Sequence, residues 1–474
     1  MDQIRQKKLE AIRQAGILPY ARHFRGCSSI NDIVASFQEQ GQVRVAGRIV
    51  ALRSHGKSSF ADLKDSTGKI QLYLKLDAME KDNFDFFLNN IDIGDILGIE
   101  GKLFKTRTQE PTIEVVEFKL LAKALRPLPE KWHGLKDIEI RFRQRYLDLL
   151  ANDKVRETFI LRSRMVSKIR EFLDGSGYLE VETPMLHERP GGATGKPFKT
   201  HHEALDMDLF LRIAPELYLK RLLVGGFERV YEINRSFRNE GISTRHNPEF
   251  TMLEVYTAYH DYEDTMKLTK ELITFLAEEI LEKKELKYQG KTIDFSHWER
   301  RSFQELMQKN FDIHPHEPEE VWIAKLRKKG VRLEQGTLSR SQLLNIIADL
   351  VTPEVKNHPV FVTDLYTELC PLARTKEREP LLTERFELFI AGMEIANAYS
   401  ELNDPQEQRR RFSEQLAGKD EQQQIDEDFV LALEYGMPPA GGLGIGIDRL
   451  VMLFTDSPSI REVILFPQLK ADKK

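Results

Sequence analysis

The sequence predicts an α+β protein in which a small antiparallel β-barrel precedes a larger domain built on an antiparallel sheet flanked by helices. Over residues 41–125, short runs rich in Val, Ile and Leu alternate with turn signals at a spacing of roughly ten residues, which is typical of small barrels. From about residue 151 the period becomes helical, as in VRETFILRSRMVSKIREFLDG. Near the end of the chain the glycine-rich strand GGLGIGI runs into DRLVMLF.

These changes of pattern divide the 474 residues into four parts. The parts are an N-terminal helical segment, the barrel, a linker and the large domain, at residues 1–40, 41–125, 126–150 and 151–474. In the first part, Ile4 and Ile12 fall on one predicted helix face. The linker is indicated by Pro127 and Pro129, because proline interrupts both helices and strands.

The composition excludes several classes of protein. There are 70 Lys and Arg against 75 Asp and Glu, so a nucleic-acid partner cannot be argued from the net charge of -5. The two cysteines, Cys27 and Cys370, are too few for a disulfide scaffold or a Cys-rich zinc site. No apolar run reaches the length of a membrane span, so we expect no membrane partner and a cytoplasmic location.

Residues 228–256 read as strand, polar loop and strand. In the second strand, the period of two places a carboxylate and a phenol beside apolar neighbours on one face, as expected of a site wall. That face carries Phe250, Met252, Glu254 and Tyr256. The loop carries cationic groups that suit a polyphosphate, with Glu240 among them, although a solvated basic loop has the same composition. These groups are Arg235, Arg238, Arg245 and His246.

Two further segments suggest chemistry. Asn397, Tyr399 and Glu401 share a strand face, and Glu387 precedes them across Gly392. Glu394 would face the other way unless the strand carries a bulge. Two glutamates on paired strands suit a hard cation such as Mg²⁺, but paired surface glutamates are also common.

The segment GGLGIGIDR at 441–449 is the third candidate. Its glycines are unfavourable in a strand unless another group approaches the backbone closely. Asp448 then lies near a helix start, where a carboxylate complements the helix dipole, and Arg449 projects from the first turn. Taken alone, the segment is better explained as a cluster of glycines that serves packing.

Together these segments resemble a known family. FRNEG followed by RHNPEF resembles motif 2 of the class II aminoacyl-tRNA synthetases, GLGIGIDRL resembles motif 3, and the helix ending in GYLEVETPML resembles motif 1. Within the class, RIAPELYLKRLLVGGFERVYEINRSFRNEG and NAYSELNDP are most similar to the lysyl-tRNA synthetases of bacterial type. The resemblance covers about residues 40 to 470.

The resemblance implies an N-terminal OB-fold that reads the anticodon and a class II catalytic domain. The implied reaction joins lysine to AMP from ATP and then transfers lysyl to the terminal adenosine of tRNA(Lys). Implied lysine-binding residues are Gly192, Glu216, Arg238, Glu254, Tyr256, Asn397, Tyr399 and Glu401. Implied ATP-binding residues are Arg238, Glu240, Arg245, His246, Asn247, Phe250, Glu387 and Arg449.

In this scheme Arg238 and Arg449 are the catalytic cations, while Glu387 and Glu394 hold Mg²⁺. The implied anticodon-binding residues are Arg53, Phe60, Gln71 and Glu110; for Phe60 taken alone, a core position is the simpler interpretation. Motif 1 implies a homodimer formed through residues 155–186.

Three alternatives remain at this point. One is a lysine ligase acting on a protein acceptor of the elongation factor P type, whose known members lack the barrel. A second is the aspartyl or asparaginyl enzyme of the same subclass, whose pockets need cations or amide donors. A third is a non-catalytic OB-fold RNA-binding protein with a degenerate synthetase domain.

Overall fold

The computed structural model describes residues 2–128, 135, 137–193, 195–333, 338–351, 353, 356–416 and 425–470. The chain divides into two compact units, residues 1–137 and 138–474. The predicted linker, 126–150, therefore falls partly in each unit, and Pro129 lies outside the described residues. Within the described residues, no helix combines the length and apolarity needed to cross a membrane.

The first unit is a closed five-stranded barrel with three helices. Its elements are α1 (Gln3–Gln14), α2 (Ile30–Ala35), β1 (Gln42–His55), β2 (Ser58–Lys64), β3 (Lys69–Lys75), α3 (Lys81–Asn90), β4 (Ile96–Lys105) and β5 (Pro111–Ala122). The strands close in the order β1-β2-β3-β5-β4, with only the β3–β5 pair parallel among the pairs described. A closed barrel removes exposed strand edges, and this arrangement confirms the predicted barrel.

The period of two separates the barrel's core from its outer face. On β3, Ile70, Leu72 and Leu74 point inward and are at most 2% exposed, while Gln71 and Tyr73 between them face outward. Phe60 lies opposite Tyr73 on β2, and their ring centroids are 4.9 Å apart. Phe60 is therefore a half-buried residue of the outer face, and the core interpretation is wrong.

The N-terminal part is less helical than expected. The first helix ends at Gln14, and the second covers only residues 30–35. Ile4 is 68% exposed, whereas Arg5, Leu9 and Ile12 are buried. The expected face is wrong because Arg5 turns inward to donate to the carbonyls of Ile93, Ala124 and Arg126.

The second unit contains the large sheet and most of the helices. Its elements are α4 (Ile138–Arg143), α5 (Arg145–Ala151), α6 (Asp153–Gly175), β6 (Leu179–Glu180), β7 (Leu186–His187), β8 (Lys199–His202), β9 (Met207–Leu211), α7 (Glu216–Val224), β10 (Arg229–Phe237), β11 (Glu249–Ala258), α8 (Tyr262–Leu281), β12 (Glu285–Tyr288), β13 (Lys291–Asp294), β14 (Glu299–Ser302), α9 (Phe303–Phe311), α10 (Glu319–Lys328), α11 (Arg340–Leu350), β15 (Val360–Thr363), β16 (Arg385–Ile390), β17 (Met393–Ser400), α12 (Pro405–Leu416), α13 (Glu427–Glu434), β18 (Ala440–Gly446), α14 (Ile447–Phe454) and α15 (Ile460–Val463).

The large sheet has eight strands in the order β14-β15-β16-β17-β18-β11-β10-β6. The outermost pairs, β14–β15 and β6–β10, are parallel, and the pairs between them are antiparallel. One face packs against α6, α8 and α14, and it includes Leu253, Val255, Leu443 and Ile445. The alternating residues on the same strands face the opposite side, where the candidate site lies.

Residues 297–380, which the sequence left uninterpreted, contain a second core. Helices α9, α10 and α11 pack around Trp322, which is fully buried, and against Val362 of β15. Within this range only the apolar spacing of QLLNIIADL predicts a helix, and this stretch lies in α11. This helix begins with a capping box in which Ser339 and Gln342 exchange side-chain and backbone hydrogen bonds.

The barrel gives a first test of the two faces. Leu72→Ala should lower the free energy of unfolding by about 2–5 kcal/mol, because it opens a cavity in a fully buried core. Phe60→Ala should lower it by only about 0.5–1.5 kcal/mol, because it loses mainly the ring contact with Tyr73. Urea unfolding of both variants measures the difference. Equal losses would mean that Phe60 supports the core after all.

Candidate active site

The glycine-rich strand β18 lies between β11 and β17 and forms the floor of the candidate site. Gly442 pairs with Tyr256 on one side and with Tyr399 on the other. Gly444 pairs in the same way with Glu254 and Asn397. Because paired residues on antiparallel strands share a face, all four side chains surround the glycine backbone.

Gly442 shows why β18 carries glycine on the face that lines the site. A Cβ at this position would lie 1.9 Å from Oε1 of Glu401 and 2.7 Å from a ring carbon of Tyr256. Any other residue would therefore displace the Glu401 carboxylate. The group that approaches the glycine backbone closely here is therefore the carboxylate of Glu401.

Three buried carboxylates converge above this floor. Glu216, Glu254 and Glu401 are 4%, 6% and 1% exposed. Tyr399 donates its hydroxyl to Oε1 of Glu216 at 2.8 Å, and Tyr256 donates to Oε2 of Glu254 at 3.3 Å. Buried charge of one sign is unfavourable unless cations accompany it, so this cluster is suited to a cationic ligand.

One resident cation belongs to the cluster. Lys220 is fully buried on α7, with Nζ 2.7 Å from Oε1 of Glu216 and in a direct ion pair with Oε2 of Glu401. Burial alone would lower the pKa of this ammonium, but the charges of Glu216 and Glu401 outweigh it and raise the pKa. Lys220 therefore stays charged.

Glu254 is only partly compensated by a cation, because burial affects its pKa more strongly than the charge of Arg238 does. Burial raises its pKa to about 8, and the neighbouring charges of Glu216 and Glu232 act in the same direction. Near neutral pH Glu254 thus holds a proton.

The hairpin β16–β17 brings together the two glutamates expected at a metal site. It turns at Ala391 and Gly392, whose φ angles are 51° and 75°. The register passes from Leu388–Ala396 to Phe389–Glu394, so Ile395 is an extra residue on β17. This bulge supplies the change of direction that the sequence required if Glu394 and Asn397 are to act together.

Glu387 and Glu394 interact through their charges. Burial raises the pKa of Glu387 to about 7; Arg385 opposes this shift and Glu394 adds to it. Among the described residues no group of three or more His, Cys, Asp or Glu side chains has metal-binding spacing. Carboxylate oxygens are hard ligands, so these two glutamates suit Mg²⁺ when phosphate oxygens complete its coordination.

The sequence reasoning missed Arg385, which links these sites. Its Nε donates to Oδ1 of Asn397 at 3.1 Å and its Nη2 donates to Oε1 of Glu387 at 2.7 Å. This bond fixes Oδ1 of Asn397 as an acceptor, so the other side of the amide, its NH₂, can donate to a ligand. The available signal was the position of Arg385 two residues before Glu387, on the same strand face. Lys220 was also missed, although it follows Glu216 by four residues in a helical stretch.

The cations of the polar loop surround the neighbouring part of the floor. Arg238 lies over the ring of Phe250, 5.2 Å from its centroid, and its Nε is buried without a hydrogen-bond partner among the described residues. Burial lowers the pKa of Arg238, while Glu240, Glu394 and Glu254 oppose that shift. An orphaned guanidinium nitrogen in this position is suited to an anionic ligand.

Arg449 and the loop meet at the hairpin β16–β17. Arg449 Nη1 donates to the carbonyl of Glu394 at 2.7 Å, and its Nη2 lies 3.1 Å from Nε2 of His246. Arg245 donates to the carbonyl of Gly392 at 2.9 Å. Burial, and next the charge of Arg449, lower the pKa of His246, so this imidazole is neutral near pH 7.

Gly192 lies beside Glu216, whereas the amide of Asn247 is engaged elsewhere. Gly192 has a φ of 85°, and a Cβ there would lie 3.2 Å from Cβ of Glu216, so its backbone is next to that carboxylate. The amide of Asn247, in contrast, makes no hydrogen bond to the cations of the loop in the described residues. Its NH₂ donates to the carbonyl of Glu249, and its Oδ1 accepts from the backbone of Gln468.

On the barrel, the four expected anticodon-binding residues share the outer face. Arg53 pairs with Phe60 across β1 and β2, and Gln71 donates to Glu110 at 3.4 Å. Arg53 is half exposed and contacts Asp62. A half-buried aromatic ring on an outer face, beside polar groups, is suited to stacking an unpaired base while the polar groups read its edge.

Comparisons with known families agree with this architecture. Residues 137–470 match the family of class II tRNA synthetases for D, K and N, and residues 43–121 match the OB-fold nucleic acid binding domain.

Similar proteins extend over nearly the whole chain. A lysine–tRNA ligase of Carboxydothermus hydrogenoformans is 53% identical, covering 98% of this chain and 97% of its own length. The lysine–tRNA ligases of Pelotomaculum thermopropionicum and Moorella thermoacetica are 52% and 51% identical over 98% of this chain and cover 94% and 97% of their own lengths. With its glycine floor, its motif 2 loop and its N-terminal barrel, the chain belongs to the class II tRNA synthetases of the aspartate, lysine and asparagine group.

Proposed function

We propose that the chain is a lysine–tRNA ligase, which activates L-lysine with ATP to lysyl-adenylate and pyrophosphate and then transfers lysyl to the 3′-terminal adenosine of tRNA(Lys). The observation that carries this proposal is the cluster of Glu216, Glu254 and Glu401 beside the class II floor. A pocket for aspartate or asparagine would need cations or amide donors there. Relatives that are about 50% identical over nearly the full length are lysine–tRNA ligases.

Free lysine has an ammonium at each end and one carboxylate. Glu401 and Tyr256 bind the ε-ammonium, supported by Glu254, and Tyr399 borders this part of the pocket. Glu216 and the backbone near Gly192 bind the α-ammonium. The substrate carboxylate is bound by the orphaned guanidinium of Arg238 and by the free NH₂ of Asn397.

ATP binds over the other part of the floor. Phe250 stacks on one face of the adenine, Arg449 covers the opposite face, and Glu240 accepts from the amino group. The triphosphate is bound by Arg245, His246 and Asn247, of which Asn247 has the weakest support because its amide is engaged elsewhere.

Mg²⁺ fits the pair Glu387 and Glu394, because both are carboxylates and their mutual repulsion favours a cation between them. When bound, the ion supplies charge neutralisation on the phosphates. Arg385 holds Glu387 in place for this role.

The chain needs no general base for activation. The lysine carboxylate is already ionised and attacks the α-phosphorus in line, so the protein contributes positioning and neutralisation of charge. Arg238 contacts both the substrate carboxylate and the α-phosphate, which places the reacting atoms together. Arg449 fixes the nucleotide at the same time, so these two residues are the catalytic cations.

The barrel separates this proposal from a ligase that modifies a protein acceptor. Ligases of the elongation factor P type lack an anticodon barrel, whereas residues 43–121 match an OB-fold domain. Arg53, Phe60, Gln71 and Glu110 read the anticodon on the outer face of that barrel. We also propose a cytoplasmic location, consistent with the free thiols of Cys27 and Cys370.

A homodimer completes the proposal. The motif 1 region, 155–186, exposes large apolar side chains that a monomer would leave in water. They are Ile160, Leu179, Met185 and Leu186, which are 45–53% exposed.

Glu401→Gln should weaken lysine binding by about 2–5 kcal/mol and leave ATP binding nearly unchanged, because it removes a desolvated partner of the ε-ammonium. Calorimetry with each ligand measures the two effects. Glu317→Gln is the matched control, because it removes a carboxylate paired with Lys325 of α10, in the part of the chain that packs around Trp322. Lysine affinity unchanged within about twofold in Glu401→Gln would remove this residue from the pocket.

Lysine binding should release protons and strengthen as pH rises. Glu254 holds a proton below its pKa of about 8, whereas a bound ammonium favours the carboxylate, so binding expels the proton. Calorimetry in buffers of different ionisation enthalpy should detect up to about one proton released at pH 7. Glu254→Gln should abolish both the release and the pH dependence between about pH 6 and 8. If the variant retains them, another group is responsible.

Phe60→Ala should cut the tRNA specificity constant by roughly 5- to 150-fold, because one base–aromatic stack is worth about 1–3 kcal/mol. Lysine-dependent pyrophosphate exchange should stay intact, since it needs no anticodon. Phe86→Ala is the matched control, because Phe86 is another half-buried barrel aromatic, stacked on Phe118. Normal aminoacylation by Phe60→Ala would contradict the anticodon role. No charging of tRNA by the unaltered protein would contradict the proposed function itself.

A further inference from the structure

The ammonium of Lys220 connects the two carboxylates that lie at opposite ends of the proposed substrate. Glu216 and Lys220 occupy positions four apart on α7, so both project from one side of the helix. Nζ lies 2.7 Å from Oε1 of Glu216 and also pairs directly with Oε2 of Glu401. One cation thus sets the position of two carboxylates that belong to different elements.

Each carboxylate uses only one oxygen in this bridge. On Glu216, both Lys220 and the hydroxyl of Tyr399 contact Oε1, which leaves Oε2 for a ligand. On Glu401, Oε1 is buried and has no hydrogen-bond partner among the described residues. This oxygen rests against Gly442, where no side chain can cover it.

Lys220 cannot move freely between these partners. Its ammonium lies 5.7 Å from the ring centroid of Tyr399 and 5.9 Å from that of Phe429, within cation–π distance of both. Its side chain has no exposed surface. The bridge is therefore a rigid part of the pocket, and Lys220 is a positioning residue that acts through Glu216 and Glu401.

We propose that Lys220 fixes the separation between Glu216 and Glu401 and thereby makes the pocket select lysine over diamino acids with a shorter side chain. This inference rests on the proposed function, in which Glu216 binds the α-ammonium and Glu401 binds the ε-ammonium. With the carboxylates held at a fixed separation, ornithine, which is one methylene shorter, leaves one of them unpaired. A buried group left unpaired discriminates more strongly than a lost methylene contact, which alone accounts for about 10–200-fold.

The test compares lysine with ornithine on the same protein preparation. Lysine- and ornithine-dependent pyrophosphate exchange gives a ratio of kcat/KM values that does not depend on how much of the protein is folded. Lys220→Met keeps the side-chain length but removes the charge, so it should lower this ratio by roughly tenfold or more. A purely structural lysine would lower both rates and leave the ratio unchanged.

Lys123→Met is the matched control. Lys123 has a fully buried side chain that bridges Asp92 and Asp95 at 2.6 and 2.7 Å, but it belongs to the barrel unit. This variant should be less stable than the unaltered protein while its ratio stays the same. A ratio that falls equally in both variants would overturn the proposal.

Lys220→Arg decides the question if Lys220→Met gives no folded protein. Arginine retains the charge but changes its reach, so the ratio should shift by more than about threefold. A ratio within about twofold of the unaltered protein in either Lys220 variant would overturn the inference. Failure of the proposed function has a different result, since the unaltered protein would then show no lysine-dependent exchange.

Discussion

The burial of like charges against the glycine strand is the constraint on which the centre of the structure depends. Glu254 and Glu401 lie beside β18, and Glu216 meets them from α7. Such a cluster is unfavourable in an isolated protein, because carboxylates lose hydration and repel one another. Here one ammonium, Lys220, and the tyrosine hydroxyls compensate part of the charge. The compensation is incomplete, as the raised pKa of Glu254 indicates, so a cationic ligand improves the electrostatics.

The neighbouring half of the floor carries cations beside its carboxylates. Arg238 and Arg449 meet there, with the unused guanidinium nitrogen of Arg238 buried. Arg385 couples the halves, because one guanidinium orients both Asn397 and Glu387. The bulge at Ile395 allows Glu394 to join the same surface. The amino acid and polyphosphate of the proposed reaction would thus meet charges of both signs on one sheet.

Within a single strand of the barrel, one face contributes to the core and the other forms the outer surface. Leu72 and Leu74 fill its core, while the intervening residues of the same strand form a polar and aromatic outer face. Because a strand reverses its side at every residue, Phe60 and Tyr73 can stack on that face without entering the core. This division explains how a nucleic-acid-binding surface is built with little cost to folding.

By itself the sequence determined the barrel, the antiparallel sheet, the two-strand hairpin at Gly392 and the helix QLLNIIADL, because each depends on local periodicity and turn residues. The family motifs also indicated which polar residues to expect near one another, and the register brings Glu254, Tyr256, Asn397 and Tyr399 around β18. Local pattern failed for Ile4, since the helix face is chosen by the carbonyls that receive Arg5. Only the tertiary structure revealed the roles of Lys220 and Arg385. Each cation joins a partner close in sequence, Glu216 or Glu387, to a second partner on another element, Glu401 or Asn397. The spacing of the sequence indicates the first partner, but the second is decided only when the strands pair.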